Sequence, residues 1–315
     1  MSELVRVWGT VLAFLAIVAV FALSAPNFLN PINLLNIVKQ ASYLGLLAIG
    51  FTVALVAGEL DLSVGQVATL ASIVCAALLF GGHAVPLAVL AGLAAAGLFG
   101  VANGLAVTRF RIPSLIATLA TGIIASGTSF MITGGVAYVG KLPASFLFIG
   151  RGALWLVPMP IVWLILATAC VWVLLAQTRL GSALLASGEA PSAARLAGID
   201  VGRTKLVGLA LSGLLAGCTG ILLTSSLASS SPTIAVDFLM KGIAAVLLGM
   251  TTISPGRPNL GGTLVGVLLI IVLGNGLTLL GAPYYAQDIL LGVIMLLSVS
   301  VSAARLSEAA FGGAR

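Results

Sequence analysis

Two carboxylates two positions apart, Glu59 and Asp61, lie in the stretch Gly58-Glu-Leu-Asp-Leu-Ser-Val-Gly65, between long apolar runs. Such a pair could exchange protons in general acid–base catalysis, or line a polar cavity. No nucleophile, histidine or metal-binding cluster accompanies the pair in this stretch. The only histidine of the sequence, His83, lies elsewhere, in a Gly-Gly-His-Ala loop. The sequence therefore predicts no enzyme active site, and a binding or structural role for the two acids.

Two interpretations of this acidic turn remain open. In the first it is a hydrated cytoplasmic turn, in which Asp61 caps the next helix through the amides near Ser63 and Val64. In the second it is a break within the membrane, where Asp61 or Glu59 lines a polar cavity or contacts a partner. An aspartate at the centre of a membrane helix costs about 2.5–3.5 kcal/mol on insertion scales, so the second interpretation would require a function.

Primary amides within apolar segments form a second set of candidates. Gln40, Asn103 and Asn275 carry more hydrogen-bonding groups than the local helix backbone can satisfy. Together with Asp61 and Thr118 they are predicted to line a path for a neutral, hydroxyl-bearing solute. The alternative is that these amides only tie helices together.

The elements that position these residues are membrane helices. Of the 315 residues 60% are hydrophobic and 7% charged, and the mean hydropathy is +1.24. Soluble domains carry about a quarter charged residues, so the chain is predicted to be an all-α polytopic membrane protein. Residues 1–315 are expected to form a single transmembrane domain. The net charge of +6 is spread singly between apolar segments and is not a nucleic-acid footprint.

Ten segments have about the length and apolar character that a membrane helix needs. They are Val7–Ala25, Leu34–Ala57, Leu62–Phe80, Ala84–Val107, Pro113–Thr133, Ala153–Ala176, Leu206–Ser226, Phe238–Thr252, Leu260–Leu280 and Ala282–Ala303. The first is expected to be retained rather than cleaved as a signal peptide. Ten of the fourteen cations lie at the N-terminus or after even-numbered segments, while Lys39 and Lys241 fall within or at the start of apolar ones. The positive-inside rule then places both termini in the cytoplasm.

A faint internal repeat accompanies this count. Asn103-Gly104-Leu105 recurs as Asn275-Gly276-Leu277, five helices later and therefore in the opposite orientation. This spacing is compatible with an inverted five-plus-five repeat.

The longest polar stretch is the connection Gln177–Lys205, which the topology places in the cytoplasm. It contains the signals of a short helix: Pro191 suits the first helical position, Glu189 suits the positive end, and Gly198 suits the position after the last turn. The stretch is either an ordinary surface loop or a rigid helix that another protein could grip.

Three stretches together resemble the transmembrane permease subunits of bacterial ABC-type importers for simple sugars, the ribose type in particular. They are Gly58–Gly65, Ile112-Pro-Ser-Leu-Ile-Ala-Thr-Leu119, and the run from Thr178-Arg-Leu-Gly181 through Ala193-Ala-Arg-Leu-Ala-Gly-Ile-Asp200 to Ser212-Gly-Leu-Leu-Ala-Gly217. Matches at Ile243-Ala-Ala-Val246 and Gly261-Gly-Thr-Leu-Val-Gly266 extend the resemblance over most of Leu34–Leu297.

The resemblance implies a role for residues 177–205 as a coupling loop. A short cytoplasmic helix of such permeases sits in a groove of the ATP-binding subunit, and here it corresponds to Ala190–Gly198. The implied coupling residues are Glu189, Pro191, Ala193, Ala194, Arg195 and Gly198. No Gly-x-x-x-x-Gly-Lys-Ser/Thr motif is present, so ATP and Mg are expected on the partner ATPase and no cofactor in this chain.

The resemblance further implies a periplasmic or lipid-anchored solute-binding protein, a second permease chain, and a location in the bacterial inner membrane. The expected function is translocation of a monosaccharide or related small polyhydroxylated solute, using ATP hydrolysed by a separate subunit. An ion-coupled secondary transporter of a neutral solute is the alternative from another class. An ABC permease for nucleosides or furanosyl signals is a further one.

Several positions depart from the family pattern. Glu59 and Glu189 replace a usual Gly and Asn, and the usual Glu-Leu-Asp before Ala-Ala-Val reads Asp237-Phe-Leu-Met-Lys-Gly242. The following turn holds the insertion-like Thr252–Asn259. These changes weaken any inference to ribose itself, so that sugar acids and sugar alcohols also remain open.

Overall fold

The computed structural model describes residues 3–253 and 256–296, which are almost entirely helical between short connections. The helices are α1 (Glu3–Ser24), α2 (Pro31–Val56), α3 (Val64–Phe80), α4 (Val85–Thr108), α5 (Ser114–Thr133), α6 (Ala144–Arg151), α7 (Met159–Gln177), α8 (Arg179–Glu189), α9 (Pro191–Leu196), α10 (Val201–Leu227), α11 (Phe238–Gly249), α12 (Leu260–Leu279) and α13 (Tyr284–Leu296). The strands form two antiparallel pairs, β1 (Tyr138–Val139) with β4 (Ser229–Ser230), and β2 (Ala153–Leu154) with β3 (Val157–Pro158).

The predicted all-α class is confirmed, and each of the ten predicted segments contains a helix. Within the described residues six helices are long and apolar enough to cross a membrane, namely α2, α4, α5, α7, α10 and α12. The apolar helices Leu12–Ser24, Val64–Phe80, Phe238–Gly249 and Tyr284–Leu296 are shorter. The count of ten spans therefore stays a prediction, and the end of the tenth segment at Ala303 lies outside the described residues.

The sixth predicted segment begins later than expected. Its first residues form the hairpin β2–β3, in which Trp155 adopts a left-handed φ of 58° that a helix cannot contain. Pro158 precedes α7 in an extended conformation, and the helix starts at Met159. The sequence prediction of a helix from Ala153 is wrong because hydropathy does not distinguish an apolar hairpin from an apolar helix.

Contacts divide the chain into two compact units. The central unit, Ser42–Leu239, is built on α10, which packs against α3 and α4 through backbone contacts at glycines. A Cβ added to Gly213 would lie 2.7 Å from the carbonyl oxygen of Ala96, and one on Gly220 would lie 1.8 Å from that of Ala68. Such close approach is how helices associate where exclusion of water gives no driving force.

The terminal unit comprises the residues up to Ala41 and those from Met240 onward. Its helices α11 and α12 run antiparallel at similarly short range, since a Cβ on Gly266 would lie 2.0 Å from the carbonyl oxygen of Ala245. Farther along α12, Phe21 of α1 packs against Gly276 and joins an apolar cluster with Phe28 and Val272.

Candidate functional site

The acidic turn between α2 and α3 lies well inside the central unit. A Cβ added to Gly208 would be 2.8 Å from the Cβ of Ala57, the residue that follows α2. Because α10 begins at Val201, this contact is seven residues, or about 10 Å, along α10. The turn thus lies beside the apolar part of α10, and Asp61 is fully buried. This depth favours a break between two helices over a hydrated surface turn.

Asp61 organises the residues that lead into α3. Its Oδ1 accepts hydrogen bonds from the Ser63 amide at 3.0 Å and the Ser63 hydroxyl at 2.5 Å. The expected contact with the Ser63 amide is therefore present, but the expected helix cap is not, because Ser63 precedes α3 and accepts no bond that caps it. Asn103 of α4 donates to Ser63 Oγ at 2.9 Å and accepts from the Thr121 hydroxyl of α5. Three helices thereby share one buried polar cluster. Among the described residues three buried atoms have no hydrogen-bond partner: Asp61 Oδ2, Gln66 Oε1 and Ser212 Oγ.

Thr118 fixes the backbone of the same turn. Its hydroxyl accepts from the Leu62 amide at 3.1 Å, while Ser114 Oγ accepts from the Leu60 amide at 3.3 Å. Thr118 and Asn103 are both fully buried. The structure therefore brings the predicted candidates Asp61, Asn103 and Thr118 together. They hydrogen-bond neighbouring helices to each other and do not line an open cavity.

Glu59 forms an ion pair with Lys205, at the beginning of α10. The Glu59 side chain is buried, with 6% of it exposed, whereas the Lys205 side chain is 23% exposed. The sequence could not have paired them, because 146 positions separate them. The pair links the acidic turn directly to the end of the coupling loop.

The coupling loop is mostly helical, and its helix α8 was not predicted. Thr178 caps α8 by accepting from the Gly181 amide at 3.1 Å. At the other end, a Cβ on Gly188 would lie 2.1 Å from the carbonyl oxygen of Val56, so α8 touches the end of α2. Ser187 Oγ accepts from the Thr204 hydroxyl at 2.7 Å. Helix α8 is thus held against both α2 and α10.

Helix α9 begins at Pro191, as predicted, and ends at Leu196. Gly198 has a φ of +81°, and its amide donates to the Arg195 carbonyl at 3.0 Å, which confirms the predicted stop. Of the predicted coupling residues, Ala194 is buried and faces the protein, while Glu189, Ala193, Arg195 and Gly198 are exposed and Pro191 is half-buried. The sequence interpretation missed Leu196, whose side chain is 91% exposed at the end of this helix.

A separate cavity of about 330 Å³ lies within the terminal unit. Two predicted path residues, Gln40 and Asn275, line it together with Lys241, Thr278 and Gln287. The rest of the lining is contributed mostly by leucine and isoleucine side chains of α12 and α13. The five predicted path residues therefore fall into two groups. Two of them line the cavity of this unit, and the other three belong to the buried cluster of the central unit.

Asn275 is oriented by an amide that the sequence interpretation did not single out. Asn33 donates to Asn275 Oδ1 at 3.0 Å, and Asn275 donates back to Asn33 Oδ1 at 2.8 Å. Asn33 also donates to the Phe28 carbonyl at 2.9 Å. In the cavity wall Gln287 donates to the Thr278 hydroxyl at 3.0 Å. Among the described residues no group of histidine, cysteine and acidic side chains could hold a metal ion.

The part of the chain that the structure describes has six helices able to cross a membrane, a buried polar break and a partly polar cavity. These features define a multi-pass membrane protein and are suited to solute passage. A family model described as "Branched-chain amino acid transport system / permease component" matches residues 33–299. The chain belongs to this family of permeases.

Individual relatives cover nearly the whole chain. The ribose import permease protein RbsC of Bacillus subtilis is 37% identical over 292 residues, which is 92% of this chain and 91% of that protein. Its namesake from Escherichia coli K12 is 35% identical, over 93% of this chain and 92% of that protein. The L-arabinose ABC transporter permease protein AraH of Azospirillum brasilense is 32% identical, over 94% of this chain and 87% of that protein.

Proposed function

We propose that this chain is the permease subunit of an ABC importer for a monosaccharide or a related small polyhydroxylated solute. The relatives named for ribose and arabinose transport support this substrate class. The structural observation that supports it most directly is α9, a short helix with a 91% exposed leucine, which follows α8, the helix that touches Gly58 of the acidic turn. ATP is hydrolysed by a separate subunit, which binds this helix.

The contacts around α9 describe how a movement of the ATPase reaches the membrane helices. Helix α8 follows α7 and leads into α9, and it touches the end of α2 at Gly188 and the start of α10 through Ser187. The ion pair between Glu59 and Lys205 joins these same two helix ends. A displacement of α9 therefore acts on the ends of α2 and α10 and on the acidic turn between α2 and α3, where Asp61 bonds Ser63.

The proposal extends to the remaining organisation of the transporter, which the charge pattern of the sequence and the family support. The chain crosses the bacterial inner membrane ten times with both termini in the cytoplasm, as two inverted halves of five helices. A second permease chain completes the pathway, and a periplasmic or lipid-anchored binding protein delivers the solute at the face opposite α9.

Replacing Leu196 tests the docking assignment. Leu196→Glu removes an apolar anchor worth about 1.5–3 kcal/mol when buried, so binding of the ATPase is expected to weaken roughly 10- to 150-fold. The measurement is co-purification of the ATPase with the detergent-extracted permease, followed by ATP-driven uptake in proteoliposomes.

Leu156→Glu is the matched control, because Leu156 is 79% exposed in the β2–β3 hairpin at the other end of α7. It should leave ATPase binding intact. If Leu196→Glu kept both co-purification and uptake, the ATPase would not dock on α9.

A further inference from the structure

The cavity of the terminal unit contains one charged side chain, that of Lys241. Helices α11 and α12 touch where Gly249 meets Gly262 and where Ala245 meets Gly266. One turn before Ala245 in α11 is Lys241, and one turn after Gly266 in α12 is Ile270. Because the helices are antiparallel, these two residues lie at the same level, and both line the cavity. Ile270 is the middle of α12, about 15 Å from either end of a helix long enough to cross a membrane.

Lys241 has no acidic partner in the part of the chain that the structure describes. The ion pair found there is that of Glu59 and Lys205, in the central unit. The described cavity lining contains no carboxylate, and Asp288, beside the lining residue Gln287, is exposed and outside the lining. A cation at this depth is costly, and such residues mark solute or ion pathways. The cavity thus presents a positive charge that an anionic group would neutralise.

The neutral groups around Lys241 are suited to hydroxyls. Gln40, Asn275 and Gln287 supply amides, and Thr278 supplies a hydroxyl, all of which can both donate and accept hydrogen bonds. The pairing with Asn33 fixes the orientation of the Asn275 amide in the cavity wall. A volume of about 330 Å³ lies in the range of small-molecule sites.

We infer that this cavity binds a sugar acid, a polyhydroxylated solute whose carboxylate pairs with the Lys241 ammonium while the amides bind its hydroxyls. The inference rests on the proposed function and narrows it from sugars in general to those that carry an acid group. A lysine suits a site of transit, because its flexible point charge binds a carboxylate without the two-pronged geometry of an arginine.

Charge-selective labelling tests the cavity without any transport. Thr278→Cys is made in a background in which Cys75, Cys170 and Cys218 are replaced by alanine, and is modified with an anionic and a cationic methanethiosulfonate reagent. With Lys241 present, the ratio of anionic to cationic rates should exceed that of the Lys241→Gln variant on the order of tenfold, because Lys241 lies level with Ile270, about 12 Å along α12 from position 278. Lys241→Arg should keep the ratio. Equal ratios with and without Lys241 would overturn the inference.

Uptake by the complete transporter tests the substrate. The permease, with its ATPase and binding protein in proteoliposomes, is offered radiolabelled gluconate, glucuronate, ribose and glucose. The two acids should be taken up with ATP, Lys241→Gln should lower their uptake at least tenfold, and Lys241→Arg should restore most of it. Assembly is checked by co-purification of the ATPase. Lys39→Gln is the matched control, since Lys39 neighbours Gln40 in α2 but does not line the cavity.

The outcomes separate the two proposals. ATP-driven uptake of ribose or glucose but of neither acid would refute the sugar-acid assignment and leave the importer function standing. No ATP-driven uptake of any of the four solutes would refute the importer function and the assignment that rests on it.

Discussion

Breaking the ion pair between Glu59 and Lys205 is expected to cost unequal free energies, depending on which partner is removed. Lys205→Met leaves the Glu59 carboxylate, whose side chain is only 6% exposed, without a counter-charge. Removing one member of a buried pair typically costs about 3–5 kcal/mol. Glu59→Gln instead leaves Lys205, whose side chain is 23% exposed and can extend toward water, so about 1–2 kcal/mol is expected.

The double variant Glu59→Gln with Lys205→Met removes both charges together. Its loss of stability should therefore be smaller than the sum of the two single losses, by about 1–3 kcal/mol of coupling. Thermal unfolding of the detergent-extracted protein measures the stability of all four members of this cycle. ATP-driven uptake measured beside it reports whether the pair also carries the movement of the coupling loop. Equal losses from the two single variants, or strictly additive losses in the double variant, would refute the assignment of a buried, mutually compensating pair.

Three further perturbations probe the central unit. Gly188→Ala places a methyl group against the Val56 carbonyl and should lower both stability and the coupling of ATP hydrolysis to uptake, whereas Gly127→Ala, with open space around it, should be silent in both assays. Asn103→Leu removes the hydrogen bonds of Asn103 to Ser63 and Thr121 and should cost about 0.5–1.5 kcal/mol in thermal stability for each bond. Selective loss of uptake at unchanged stability would instead place Asn103 in the solute path. Single cysteines at Ser192 and Ala144, both exposed, should be labelled by impermeant reagents from opposite faces of the membrane, and labelling from the same face would overturn the predicted topology.

The features that the sequence predicted best are those with local causes. Helix α9 starts at Pro191 and stops before Gly198 because a fixed φ suits a first turn and a positive φ suits a glycine, and both properties belong to single residues. The apolar segments were likewise recognisable, because a helix in lipid must be apolar along its length. The exposed Leu196 was missed because exposure depends on how α9 packs, and not on its sequence.

The features that depend on helix faces could not be predicted. Asn103 and Asn275 are alike in sequence, each followed by glycine and leucine, but one closes a buried cluster and the other lines a cavity. The difference comes from distant partners, Ser63 for the first and Asn33 for the second. Which residues meet across helices is set by packing, and hydropathy along the chain does not encode it.

The depth at which α3 begins has an electrostatic consequence for the backbone itself. The aligned peptide dipoles of a helix place about half a positive charge at its amino end. Here that end lies in the buried polar cluster of Ser63 and Asn103, where little water screens it, and Asp61 accepts from the amide of Ser63, the residue just before α3. The oxygen of Asp61 and the positive end of the helix dipole therefore attract each other where little water intervenes. Separating them would cost free energy. The amino end of α3 and Asp61 are thus expected to move together when the transporter changes conformation.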